Sequence, residues 1–319
     1  MKQSRIFRSL FSVTGIILLG KLLGFVKQAV TASAFGATIE TDLISLSQNF
    51  IGDIQYLLTQ VLLVSFTTLY IHTREKDELT AKQFTTDTIK VFSLISSAFT
   101  IMILLAAPAI SRIIAPSYPT ELSLRLSRYL RLFSPVLILF SWTAIFHSLL
   151  NASRRFIPGE LISVNQSVIQ IVLVLLFQHL FGVKTLLFSF FSYTVWNVFY
   201  LGFLSRRYCL SHSHAHNPFQ NPSVRKLLRM AGPLFLGYSV VYVNQQVDKI
   251  LSSSLESGTV TAMGYAAVLS NLVSTFIVSF CSILFTDITT CISQDNHQGA
   301  ASLTVRAASL LTLFFLPVS

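Results

Sequence analysis

Long uncharged runs recur along this chain, separated by short charged clusters. No formal charge falls on the 20 residues between Asp53 and Arg74, the 21 between Lys90 and Arg112, or the 22 between Arg131 and Arg154. The same holds for 23 residues between Glu160 and Lys184, 21 between Lys184 and Arg206, 18 between Arg229 and Asp248, and 30 between Glu256 and Asp287. These runs are continuous and lack the two-residue alternation of a strand. About 20 mostly apolar residues, at about 1.5 Å rise each, cross about 30 Å of hydrocarbon. The pattern therefore predicts eight complete helices, near residues 9–35, 43–71, 87–110, 126–150, 158–181, 185–204, 227–252 and 260–290. A ninth begins near 305, and its last uncharged run, after Arg306, is 13 residues. That is too short to span, so either the chain is a fragment or the ninth segment packs on a second polypeptide. The fold class is all-α, a polytopic membrane helical bundle.

The first segment is interrupted by Lys21 and Lys27. A signal peptide would also begin with Lys2, Arg5 and Arg8 and could end at Ala32-Ser33-Ala34. Two lysines between its apolar region and those small residues argue against that. Composition adds weight to the membrane reading. Of 319 residues, 52% are hydrophobic and 11% charged, where soluble domains carry about a quarter charged residues. A soluble enzyme, a disordered protein and a disulfide scaffold are excluded. The net charge of +10 is dispersed between apolar runs rather than gathered on a soluble face, so nucleic acid is not an expected partner. Cys209, Cys281 and Cys291 have no metal-ligand spacing.

Loop charges place the N-terminus in the cytoplasm. One side receives Lys2, Arg5, Arg8, Arg74, Lys76, Lys82, Arg154, Arg155, Arg206, Arg207, Arg225, Lys226, Arg229 and Arg306. The other receives Glu40, Arg112, Glu121, Lys184 and Glu256, with Arg125, Arg128 and Arg131 as a complication at the start of the fourth segment. The run Ser211 to His216 alternates histidines, but no Cys or acidic ligand accompanies them. It is a solvated linker, and no cofactor or metal is expected. Residues 1–204 form a first lobe of six helices, 205–224 a cytoplasmic linker, and 225–319 a partial second lobe.

A repeat links the lobes. Gly36 follows Lys27 by nine residues, and Gly258 follows Lys249 by nine. Each glycine enters a short polar turn before a helix rich in small and polar residues. Segments one and seven are six apart and share an orientation, the pattern of a parallel repeat with a site between two halves.

Charges at membrane depth are costly and need a reason. Lys21 lies near the middle of the first segment, and Lys27 lies about two turns from its end. Six residues separate them, which leaves them about 120° apart around a helix. In the second segment, Asp53 pairs with Lys21 or Lys27, either structurally or beside a ligand, and Gln55 follows. Asp42 sits where that segment starts, either as an N-cap or as a site residue. The seventh segment carries Asn244, Asp248 and Lys249, and Asn244 and Asp248 share a face at i, i+4. That face is expected to look into the bundle. No Ser-His-Asp, Cys-His, HExxH or Gly-Lys-Ser/Thr set occurs, so an enzyme is not expected.

The stretch Gly20-Lys21-Leu22-Leu23-Gly24-Phe25-Val26-Lys27, then Ala34-Phe35-Gly36-Ala37 and Thr41-Asp42, resembles the MurJ (MviN) family of lipid II flippases. The stretch from Asn244 to Lys249, with Ser257-Gly258-Thr259-Val260 and Gly264-Tyr265-Ala266, is similar to that family's second-lobe signature. The resemblance implies an inner-membrane flippase that moves an undecaprenyl-pyrophosphate-linked peptidoglycan precursor outward by alternating access. Its partners would be that lipid-linked glycan pyrophosphate and the membrane lipids. It also implies a cationic cavity with Lys21 and Lys27 in place of arginines, and Asp42 at the family's aspartate. Gln55 and Val268 stand where the resemblance would place two further arginines. A flippase for another lipid-linked polysaccharide unit fits the same cavity. The short ninth segment leaves a third reading, an inactive or partial transporter fragment. A drug antiporter of this fold should carry embedded acids, whereas the deep charges of the first segment are basic.

Overall fold

In a computed structural model of the chain, the described residues are 2–209, 217–256 and 258–268, with 301 and 305. Side chains are described from Gly15 onward, apart from residues 209, 241 and 245. The histidine run, Cys281, Cys291, Asp287, most of the eighth segment and the ninth lie outside them.

The described chain is helical, with no strand among the described residues. Helix α1 covers Lys2–Phe35, α2 Ile39–Lys76 and α3 Glu78–Ile114. Helix α4 covers Thr120–Phe133, α5 Val136–Ala152, α6 Ile157–Phe181, α7 Thr185–Cys209 and α8 Pro222–Ser253. A last helix, α9, is described over Thr259–Val268. Three of these helices, and the paired α6 and α7, carry stretches long and apolar enough to cross a membrane, and α4 with α5 forms one broken span. Consecutive spans reverse direction. The turns after α1, α3, α6 and α8 therefore share one end of the bundle, here the far end. The N-terminus and the turns after α2, α5 and α7 share the other.

Short polar residues start the helices. Thr38 caps α2 through a reciprocal pair with Thr41, Asp77 accepts from the Leu79 and Thr80 N–H groups at the start of α3, and Asn221 accepts from Ser223 at the start of α8. Helices α2 and α3 extend beyond their expected ends. At 38 residues, α2 is about 57 Å long and outreaches the hydrocarbon. Arg74 and Lys76 sit on its last turn, where their charge suits the helix dipole.

The fourth segment is not one helix over 126–150. It breaks at Ser134-Pro135 into α4 and α5, bent by 44°, because proline has no N–H to donate. The Ser134 hydroxyl donates to the Arg131 carbonyl at 3.0 Å, the acceptor that Pro135 leaves without its usual N–H, and Thr100 of α3 donates its hydroxyl to the Ser134 carbonyl at 3.1 Å. Pro108 leaves a similar gap in α3, and Arg131 Nε donates to the Leu104 carbonyl at 3.2 Å.

Helix α1 packs on α6, α2 lies centrally between α5, α4 and α8, and α7 packs on α5 and α6. Buried aromatic residues fix these layers. The Phe66 ring stacks 5.1 Å from that of Phe84, and the Phe133 ring meets that of Phe190 edge-on at 4.9 Å. The near-end core brings Val224 and Leu227 of α8 against Phe66, Tyr70 and Phe84. The far-end core brings Val260 of α9 against Leu43, Leu46 and Leu130. Helices α8 and α9 thus touch the body formed by α1–α7 at both ends and leave a space between.

Candidate functional site

That space is a chamber of about 480 Å³ walled by α1, α2, α6, α7, α8 and α9. Its polar wall is mostly neutral: Gln28, Gln48, Asn49, Gln55, Gln166 and Gln170 supply amides. Tyr56 and Tyr242 meet on its wall, with ring centroids 5.5 Å apart. The Tyr265 hydroxyl, also on the wall, is buried without a hydrogen-bond partner among the described residues. Amides and tyrosines offer donors and acceptors to a polyhydroxylated ligand.

Lys27 lies on the chamber wall. It makes no ion pair among the described residues, so its ammonium is available to an anion. Lys21 does not line the chamber and is exposed. The angular separation of the two lysines turns it away, which corrects the expectation of a shared cavity. Around Gly20, α1 approaches α6 so closely that an added Cβ would collide with Ser163 Oγ.

Asp53 and Gln55 also line the chamber. Asp53 pairs with neither lysine of α1. Its carboxylate accepts from Lys249 Nζ at 2.6 Å and from the Gln246 amide, across the α2–α8 contact. This corrects the expected pairing, and it leaves Lys27 uncompensated while Asp53 and Lys249 neutralise each other. The face of α8 that meets α2 carries Tyr242, Gln246 and Lys249 at i, i+4, i+7. Asn244 and Asp248, expected to look inward, are exposed and absent from the chamber wall.

Asp42 is 1% exposed and is not the N-cap of its own helix, since Thr38 takes that place. It reaches the other side instead. Its carboxylate accepts from the Gly258 N–H at 2.6 Å, the Thr261 N–H at 2.8 Å and the Thr261 hydroxyl at 2.5 Å. It therefore caps α9 in trans, where the free N–H groups and the dipole favour an anion. Burial, and then the Asp42 charge, push the Tyr118 phenol in the nearby α3–α4 turn up to about 12. Gly36 and Gly258 hold positive φ, +64° and +90°. A Cβ on Gly258 would stand 2.6 Å from the Ala37 carbonyl oxygen. The two matched glycine turns thus pack on each other and close the far end of the chamber. Val268 is on the chamber wall.

Sequence reasoning passes over Gln28, Gln166 and Gln170. Their signal is an amide inside an apolar run, which a count of formal charges does not register. No group of three His, Cys, Asp or Glu side chains among the described residues is placed to hold a metal.

The family model described as "Lipid II flippase MurJ" matches residues 31–319. A probable lipid II flippase MurJ of Borreliella burgdorferi is 24% identical over 308 residues, covering 94% of this chain and 59% of that protein. One of Buchnera aphidicola is 26% identical over 304 residues, covering 89% and 57%. The chain thus spans under two thirds of the length of these curated relatives, and they give no support to a second polypeptide. Among solved structures, a lipid II flippase MurJ in an inward closed conformation superposes with TM-score 0.73 at 20% identity, over 88% of this chain and 59% of that one. A MOP superfamily transporter from Pyrococcus furiosus superposes with TM-score 0.60 at 14% identity, over 97% and 70%. The fold is that of these membrane transporters, and by the match across residues 31–319 the chain is a multi-pass membrane protein of the MurJ lipid II flippase family.

Proposed function

We propose that this chain moves a lipid-linked glycan pyrophosphate, of the lipid II kind, across the cytoplasmic membrane by alternating access, with its N-terminus in the cytoplasm. The observation that carries this reading is the chamber between the first six spans and α8–α9. It presents one ammonium, Lys27, without an ion pair among the described residues, amid neutral amides and tyrosines. A pyrophosphate needs a cation in a partly dry setting, and the attached sugars need donors and acceptors. The Asp53–Lys249 pair adds no net charge, so the anion is read by Lys27. The Asp42 clamp shuts the far end, and its opening would release the ligand there. Under the loop-charge orientation that end faces outward. A drug antiporter is disfavoured because the chamber's acid, Asp53, is already matched by Lys249.

Depleting the resident flippase of a bacterial strain and supplying variants of this chain tests the reading. Wild type and Lys27→Arg should sustain precursor export, and Lys27→Glu should abolish it at equal membrane level. Export by Lys27→Glu equal to wild type would overturn it. Offering a different lipid-linked saccharide in the same strain identifies the glycan.

A further inference from the structure

Arg125, Arg128 and Arg131 run against the loop-charge pattern at the far end of the bundle. Arg131 is accounted for by the Leu104 carbonyl. The other two line a second pocket of about 450 Å³, away from the chamber, with Glu40, Tyr129, Phe181, Val183 and Lys184. Glu40 holds Arg125 at 2.5 Å and accepts from the Tyr129 hydroxyl at 3.1 Å. The Glu121 carboxylate approaches Arg125 at 3.9 Å from the rim. Arg128 and Lys184 make no ion pair among the described residues. Lys184 is brought there by the α6–α7 turn, where Gly182 takes φ +55°.

Beside these cations lies bare apolar surface. Phe181 is 49% exposed and Leu180 73%, and the rings of Phe177, Phe181 and Phe188 form a ladder with centroids 6.2 and 5.2 Å apart. This surface belongs to two membrane spans, so acyl chains cover it. Two uncompensated cations at the interface, above an apolar ladder, match an anionic headgroup above its own chains.

We propose that Arg128 and Lys184, with Arg125 oriented by Glu40, bind the phosphodiester headgroup of an anionic phospholipid in the far-end leaflet, its acyl chains lying along Phe177, Phe181 and Phe188. The site is separate from the chamber and does not depend on what the chamber carries. Glu40 has a positioning role: it fixes Arg125 while leaving the pocket net positive.

Native mass spectrometry of the full chain, released from nanodiscs of phosphatidylglycerol and phosphatidylcholine in equal parts, tests this. Wild type should retain phosphatidylglycerol at about tenfold over phosphatidylcholine. The double variant Arg128→Ala, Lys184→Ala should lose that preference. Arg128→Lys with Lys184→Arg should restore it, and Lys226→Ala, on the opposite end, should leave it unchanged. Both truncated side chains are exposed, so the core is untouched; near-ultraviolet circular dichroism matching wild type verifies this. Equal retention of the two lipids by wild type would overturn the proposal. So would an unchanged preference in the double variant. Displacement of bound phosphatidylglycerol by millimolar inorganic phosphate would also overturn it, marking a site for free anions instead.

Discussion

Replacing Asp42 by alanine removes the acceptor for two backbone N–H groups and one hydroxyl on the opposite half of the molecule. A hydrogen bond to a charged group contributes about 1.5–3 kcal/mol, and a buried donor left without a partner costs about 1–3 kcal/mol. The donors regain water once the turns part, so not all of this bears on the closed state. A loss of about 3 kcal/mol is a reasonable sum, which is about 100-fold in the closed-to-open ratio. Ser45 lies below the clamp on the chamber wall. A single cysteine there, with Cys209, Cys281 and Cys291 replaced, can be labelled by a membrane-impermeant maleimide added from the far-end side. The labelling rate follows the open fraction, so Asp42→Ala should raise it by about 100-fold. Asp42→Asn keeps one acceptor oxygen without the charge and should raise it by about tenfold. Equal labelling after detergent solubilisation establishes that the variants are folded. Unchanged labelling in membranes would refute the clamp and leave Asp42 a local structural residue.

Gly258→Ala should act in the same direction, because its Cβ would meet the Ala37 carbonyl at 2.6 Å and its φ of +90° is strained for alanine. Gly36→Ala meets nothing within 4 Å and should cost only its backbone strain, about 1–2 kcal/mol, with a much smaller rise in labelling of the cysteine introduced in place of Ser45. Asp53→Ala leaves Lys249 half-buried without its partner and should lower stability in detergent by about 2 kcal/mol, while the exchanged pair Asp53→Lys, Lys249→Asp should recover most of it in thermal unfolding. At the α2–α3 turn, outside the spans, hydrogen bonds from the Thr80 hydroxyl, the Thr80 N–H and the Leu79 N–H hold the Asp77 carboxyl below the usual carboxylate range. Because the folded value is depressed, that stabilisation is present above the ordinary carboxylate pKa of about 4 and is lost as pH falls through the folded value. Thermal unfolding from about pH 6 to 3 should therefore show a shallower acid-side loss in Asp77→Asn than in wild type.

The spans are legible in the sequence because hydrocarbon tolerates few charges, so uncharged intervals mark them directly. The break at Pro135 is hidden by the same measure, since the 22 uncharged residues between Arg131 and Arg154 give no sign of a bend. The inward face of α8 is ambiguous for a different reason. Asn244 with Asp248 and Tyr242 with Gln246 and Lys249 both obey helical spacing, and only packing against α2 selects the second set. Of the two readings open for Asp42, the local one fails: a short polar residue at a helix start suggests a cap, yet its partners lie 216 and 219 residues away. Lys27 and Lys21 look equivalent in a linear count, while a rotation of about 120° separates them and only one reaches the chamber. Neutral amides on α1 and α6 complete the wall without leaving any mark in the charge pattern.

The central claim is that the chamber holds a pyrophosphate-bearing lipid through Lys27. A photo-crosslinking amino acid at Gln55, on the chamber wall, and another at Asn244, on the exposed face of α8, tests it with radiolabelled lipid-linked precursor in membranes. A chamber of this kind should give an adduct at Gln55, little at Asn244, and loss of the Gln55 adduct by at least tenfold in Lys27→Glu but not in Lys27→Arg. An adduct at Gln55 of equal yield in Lys27→Glu, or adducts only at Asn244, would contradict it.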